Sequence, residues 1–294
     1  MRILYKILSI IWLSVLFVAC TDSFDVAGHE GSEVELTFHF ETDAPIITRA
    51  ISDGTSVDQL TYAIFTSDNQ LIHKQCIKRN VTTLLSATGL QMTITLAQGH
   101  QYKAVFWAQS SECEAYTVSD DMKVTVDYNG ANNDENRDAF YGVSQNFYVG
   151  DEIAPVVLKR PFAQVNVVAF PFDWEYATQM MPDNFNITKT SATIRDIANE
   201  IDLVTGAVSG HVNASFTPAP MPQESYYADV DENGVEEEYT YLSMSYVLAD
   251  DVVTEHHADF FYLNDENKAI IMKSIKLLFK EGIRSTKPKL KEKK

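Results

Sequence analysis

The chain has 294 residues, 45% of them apolar and 22% charged, enough for one large or two ordinary packed domains and too apolar for wholesale disorder. The formal net charge is −18; ten Lys/Arg against two Glu put +8 on residues 267–294, which leaves −26 on the other 266. So acidic a body repels nucleic acid, which argues against that partner.

The N-terminus, "MRILYKILSIIWLSVLFVAC", has a positive start at Arg2 and Lys6 and an apolar run from Ile7 to Ala19. This is a secretion signal, short for a membrane span. It ends in "LFVAC", which looks like a bacterial lipobox, although Phe17 stands where Leu is usual. Cys20 is then the lipidated first residue of the mature chain; ordinary signal cleavage is the alternative. Each buried methylene contributes roughly 0.8 kcal/mol, so several acyl chains anchor durably where one does not. Asp22 and Asp25 follow, resembling the surface-export signals of some lipoproteins.

After a polar linker (residues 20–32), Val34, Leu36, Phe38 and Phe40 alternate with Glu35, Thr37, His39 and Glu41. That period of two is a half-buried strand. A lone arginine, Arg49 in "TRAISDG", lies in the loop behind it. Further runs rich in β-branched and aromatic residues predict strands over 59–65, 90–97, 102–108, 122–128 and 156–170, separated by "SDNQ", "AQGH" and "YNGANNDEN". "ENRDAFYG" and "DWEYATQMM" read as short helical turns. "SATIRDIANEIDLVTGAVSGHVNASF" reads as strands joined at "TG" and "SG", and two more strands follow at "EEEYTYLSMSYVLA" and "ADFFYLN". Many short strands with regular turns predict β-sandwiches, two of them, over 33–163 and 164–266.

Residues 267–294 depart from this style. They are basic and helix-like, with Ile271, Ile275 and Leu278 on one helical face. This is either an amphipathic helix lying on an anionic membrane or on the acidic body, or an altered gene end that replaces the last strands.

Catalytic fingerprints are absent: the sequence has no G-x-S-x-G, H-E-x-x-H, P-loop or G-x-G-x-x-G. No enzyme activity, cofactor or metal is expected. His256 and His257 are adjacent, so a strand would point them to opposite faces. Asp229, Asp231, Asn233 and Gly234 match the first half of a calcium loop, but Thr240 stands where a bidentate Glu is required. A charged hairpin turning at Asn233-Gly234 is the simpler reading. Cys76 and Cys113 either pair in an oxidising envelope or stay free. Trp107, in a strand, is assigned to the core; Trp174, in "FPFDWEY", is the candidate glycan platform.

The "LFVAC" lipobox, "EVELTFHF" followed by "TRA", "NDENRDAFYG", "VVLKRPFAQVNV", "DLVTGAVSG" and "YTYLSMSYVL" occur in an order that resembles the fimbrillin superfamily of bacterial surface lipoproteins. The resemblance covers roughly residues 16–265. It implies two tandem transthyretin-like β-sandwich domains and an assembly route. An arginine-specific protease would cut between Arg49 and Ala50. The first strand, carrying Val34, Leu36, Phe38 and Phe40, would leave, and a strand from another fimbrial subunit would fill the groove. The expected protein is a lipid-anchored pilus subunit or accessory adhesin of the outer membrane surface. A lipid-anchored glycan-binding protein is the alternative.

Overall fold

The structure, a computed structural model, describes residues 31–42, 54–181, 186–222, 225–230, 236–250, 252–271 and 275–279. Strands dominate it. In chain order they are β1 (Ser32–Phe38), β2 (Phe40–Thr42), β3 (Gln59–Thr66), β4 (Leu71–Lys78), β5 (Leu90–Leu96), β6 (Gln101–Gln109), β7 (Tyr116–Val118), β8 (Lys123–Val126), β9 (Ala139–Val143), β10 (Phe147–Tyr148) and β11 (Val156–Leu158). The second half adds β12 (Phe162–Ala169), β13 (Lys189–Ile197), β14 (Glu200–Asp202), β15 (Val208–Ser209), β16 (Val212–Pro220), β17 (Ser225–Val230), β18 (Glu236–Leu248), β19 (Thr254–Leu263), β20 (Ala269–Ile271) and β21 (Ile275–Phe279). Helix is confined to α1 (Val81–Leu84), α2 (Pro171–Gln179) and a single 3-10 turn at Glu135–Arg137 among the described residues. The chain is all-β, as its sequence pattern predicts.

The sheet order β10-β6-β3-β4, with β9 also on β6, puts β3 and β6 in the middle. Both are buried on both faces. Leu60, Tyr62, Ile64 and Phe106 point into one core, and Ala63, Phe65, Val105 and Trp107 into another. The first core is roofed by β1 on β5 and by β2 on β11. The second is continuous with the apolar faces of β12, β13, β18 and β19, so Trp107, Val165 and Phe260 share one buried cluster.

Two further connections join the halves. Strand β14 pairs with β8, Ile201 opposite Val124, in a sheet of order β15-β14-β8-β7. The loop after β8 also inserts Asn132 among second-half strands. Its Nδ2 donates to Ser243 Oγ at 2.8 Å and Thr190 Oγ1 at 3.2 Å, and its Oδ1 accepts from Ser245 Oγ at 2.7 Å. A buried amide with its valences filled in this way pins the loop instead of destabilising the core.

Four local readings change. The strand expected as one run from Val34 to Phe40 breaks at His39, where the chain leaves β5 for β11; the His39 carbonyl accepts from Val156 N at 2.8 Å. The run over 156–170 splits into β11 and β12 around Arg160-Pro161, since proline cannot donate to a ladder. Strand β4 has no period-two signal because it is a sheet edge with mixed exposure. The helix-like tail is a strand pair over its first part: β20 and β21 both add to β19, with His257 opposite Lys276. Lys276 Nζ reaches Glu255 at 2.9 Å. Its Ile-rich pattern suits a sheet as well as a helix, and the waiting edge of β19 decides. Residues 280–294 lie outside the described residues.

Candidate functional site

The alternation in "VELTFHF" puts Leu36, Phe38 and Phe40 inward, at 5%, 0% and 6% exposure, and Val34 at the margin of the same core. Glu33, Glu35, His39 and Glu41 face outward. Phe106, on the central strand β6, receives two rings edge-on: Phe38 at 5.1 Å between centroids and Phe40 at 5.0 Å. Phe38 also meets Phe147 at 5.9 Å. Burying three such side chains is worth roughly 1.5–3 kcal/mol each, as an upper-end figure.

The backbone of this segment is held by two short ladders. Strand β1 runs antiparallel to β5, from Ser32 opposite Leu96 to Phe38 opposite Leu90, and makes a sheet with β5 alone among the described residues. Strand β2 runs parallel to β11, Phe40 opposite Val156. Gly89, at φ +56°, lets the chain entering β5 pass close to β1: a Cβ there would sit 2.1 Å from the Phe38 carbonyl oxygen. The segment is thus a strand-shaped plug held by main-chain hydrogen bonds and three apolar anchors.

Strand β11 is fixed in turn by contacts just past its end. Arg160 donates to Asp138 through Nε at 2.9 Å and Nη2 at 3.1 Å, with both side chains nearly buried. Its guanidinium lies 4.4 Å from the Phe140 ring centre. Tyr141 and Lys159 exchange main-chain hydrogen bonds of 2.9 and 2.8 Å. "NRDAFYG" and "VVLKRPF", two segments on which the family resemblance rests, therefore meet directly, and β11 of the second pairs in turn with β2 of the plug. Sequence reasoning quoted both segments but missed the pair; two opposite charges inside otherwise apolar runs were the available signal.

Cys20, Arg49 and Ala50 fall outside the described residues, as does the Asn233-Gly234 turn, although β17 and β18 on either side of that turn do pair as a hairpin. Trp107 is fully buried, its Nε1 donating to Gln109 Oε1 at 2.7 Å. Trp174 is half-buried, and its ring lies 6.1 Å from that of Tyr262 between centroids. The helix places Phe172 and Tyr176 outward instead, at 75% and 55% exposure. Cys76 and Cys113 are both free, one exposed and one buried. His256 and His257 alternate along β19, and His256 Nε2 lies 2.8 Å from Thr254 Oγ1. Among the described residues no three His, Cys, Asp or Glu side chains converge as metal ligands do. No described helix is long and apolar enough to cross a membrane.

The fold and the plugged core define an all-β protein in which the first strands close a groove in the sheets behind them. Residues 28–276 match a family of unknown function (DUF6562), and the chain belongs to that family. Similar solved structures include the fimbrial anchor protein Mfa2 from Porphyromonas gingivalis, at TM-score 0.45 and 14% identity over 82% of each chain. Another is a candidate adhesin from Bacteroides thetaiotaomicron, at TM-score 0.46 and 16% identity over 85% of this chain and 81% of that one. A third, a candidate polysaccharide-binding protein from the same organism, has TM-score 0.48 and 15% identity over 80% and 78%. No curated protein matches the chain in sequence.

Proposed function

We propose that the chain is a fimbrillin-like structural protein of the bacterial surface, anchored in the outer membrane through acylated Cys20 and converted to an assembling subunit by cleavage after Arg49. One observation carries this reading. The whole plug, β1 and β2, precedes Arg49 in the chain and supplies Leu36, Phe38 and Phe40 to the core. A cut before Ala50 leaves it attached by noncovalent forces alone. Its departure bares the edges of β5 and β11 and the ring of Phe106. An extended segment of another subunit with the same alternation restores the ladders and the anchors, which is strand addition with side-chain pockets setting specificity. The partners are accordingly other fimbrial subunits, and no catalysis is required. A subunit that keeps its plug would serve as anchor or accessory adhesin.

Mass spectrometry of the mature N-terminus, in membrane and sheared-surface fractions, tests the reading. Chains beginning at Ala50 in the sheared fraction, absent after Arg49→Ala, support it. Chains beginning only at acylated Cys20 overturn the assembly step and leave the anchor role.

A second reading, glycan binding, is favoured by the outward rings of Phe172 and Tyr176 on α2. Loss of oligosaccharide binding in a Phe172→Ala, Tyr176→Ala double variant would establish it.

A further inference from the structure

Helix α2 carries apolar side chains on two faces, and the body of the protein covers one of them. On a helical repeat Phe170, Trp174, Ala177 and Met181 fall on one side, and Phe172, Tyr176 and Met180 on another. The first set is the seat. The Phe170 ring stacks on Tyr239 at 5.0 Å between centroids, and Trp174 packs against the main core beside Tyr262. The second set is bare, at 75%, 55% and 66% exposure. Met180 stays in line although it is the C-cap, because its N–H donates to the Tyr176 main-chain oxygen at 3.3 Å. The stripe thus follows the helix for two turns, about 12 Å. Asp173 and Glu175, both exposed, border it on either side.

The surroundings of the stripe are acidic. From Tyr239, the seat of Phe170, β17 and β18 continue as a hairpin, with Glu238 opposite Tyr227 and Glu237 opposite Asp229. Residues 170–181 and 225–239 together hold eight Asp/Glu and no Lys or Arg. On the neighbouring sheet Lys189 lies opposite Leu263, next to Tyr262, and so at the same end. Its Nζ is engaged by Asn267 Oδ1 at 3.3 Å, and Lys268 Nζ by Glu266 at 2.8 Å.

A bare apolar stripe inside a field of one sign narrows the choice of occupant. A second copy would bring the same charge against this end, and like charges face to face repel. An anionic lipid surface is repelled for the same reason. A neutral sugar draws nothing from the carboxylates. A cationic amphipathic helix answers both features: its apolar side covers Phe172, Tyr176 and Met180, and its Lys or Arg lie over the acids. The flexible thioether of Met180 suits such a face, since it adapts to partners of differing shape. We propose that the outer face of α2 docks a cationic amphipathic helix of another protein. This contact is separate from strand exchange: α2 and the β17–β18 hairpin take no part in the plug, and docking needs no cleavage.

The test uses the intact chain carrying Arg49→Ala, so that strand exchange is closed off and the two proposals fail independently. The probe is a labelled synthetic peptide of about 18 residues, or about five helical turns, with Leu on one face and Lys on the other. Fluorescence anisotropy at low salt is expected to show saturable, one-to-one binding. About 1 M salt, which screens charges beyond about 3 Å, weakens it at least about tenfold. Phe172→Ala with Tyr176→Ala also weakens it at least about tenfold, at an unchanged urea midpoint because both side chains are exposed. Asp173→Asn with Glu175→Gln weakens it about threefold and flattens the salt dependence. Absence of binding overturns the proposal. So does equal binding of the same residues in scrambled order, which reports charge alone, or of a Leu/Glu helix, which reports apolar adhesion alone. Binding undiminished in the Phe172, Tyr176 double variant overturns it by placing the contact elsewhere. Binding of a neutral oligosaccharide and not of the peptide overturns it and assigns the stripe to a glycan. A sedimentation mass that doubles and reverts in the double variant overturns it in favour of a second copy.

Discussion

Arg160 and Asp138 form a bidentate, nearly buried ion pair that joins the link between β11 and β12 to the residue before β9. Because Arg160 also lies over Phe140, its charge is satisfied on one side and its plane covered on another. Removing one partner strands a charge in the core. Asp138→Asn is expected to cost about 3–5 kcal/mol, read as a lower urea midpoint at unchanged m-value. Arg160→Lys is expected to lose most of the same amount, since lysine cannot reproduce the fork. Joint replacement of both by apolar residues of similar volume should cost less than either single change.

The plug gives a second expectation. Phe38→Ala should destabilise the uncut chain by about 3–5 kcal/mol, and Leu36→Ala by about 2–5 kcal/mol. Glu35→Ala, one position away on the outer face, should change stability by no more than about 0.5 kcal/mol. Gly89→Ala forces a Cβ into the Phe38 carbonyl, so it should loosen β1 without touching a plug side chain. Faster hydrogen exchange over residues 32–38 than over 101–109 would report it.

These residues also show what was legible in advance. The alternation of Leu36, Phe38 and Phe40 gave strand, face and burial together, because a period of two has one physical meaning in a roofed sheet. The break at His39 was not legible: nothing local says that the chain should trade an antiparallel partner for a parallel one more than a hundred residues away. Strand β4 and the pair Asp138–Arg160 were hidden for related reasons. An edge strand lacks a hydrophobic face to mark it, and a salt bridge is a relation between positions that sequence order keeps apart. At 269–271 and 275–279 local pattern suggested a helix, and the open edge of β19 overrode it. Trp174 was chosen for its residue type, whereas exposure on α2 belongs to Phe172 and Tyr176.

Titration of His73 gives the third expectation. Burial beside Tyr62 holds its imidazole below the ordinary value of 6.5, only partly countered by a hydrogen bond with the Gln75 side chain. The unfolded chain therefore binds the proton first as pH falls. Stability is full above the ordinary value and is lost as pH drops from 6.5 toward the depressed folded value. A urea midpoint followed from pH 7.5 to 5.5 should decline, and His73→Gln should flatten that part of the curve. A further loss belongs to Asp58, whose carboxyl the Ser111 N–H and hydroxyl hold below 3.8; it begins only in that more acidic range.

The two thiols give the fourth. Cys76 lies on the exposed edge strand, while Cys113 is 6% exposed and burial pushes its thiol up. Iodoacetamide on the folded protein should label the peptide containing Cys76 and spare the one containing Cys113 until urea is added. Equal labelling of both in the folded state would contradict this placement.

The pairing of β8 with β14 sets a clock on the nascent chain. Val124 has to wait for Ile201, which lies 77 positions later. At about 5–20 residues per second that delay is about 4–15 s. Throughout it Val124 and Val126 have no completed layer to enter, so the first half emerges as an unfinished, sticky intermediate. A stall between residues 126 and 200 would therefore be the most damaging place for synthesis to pause.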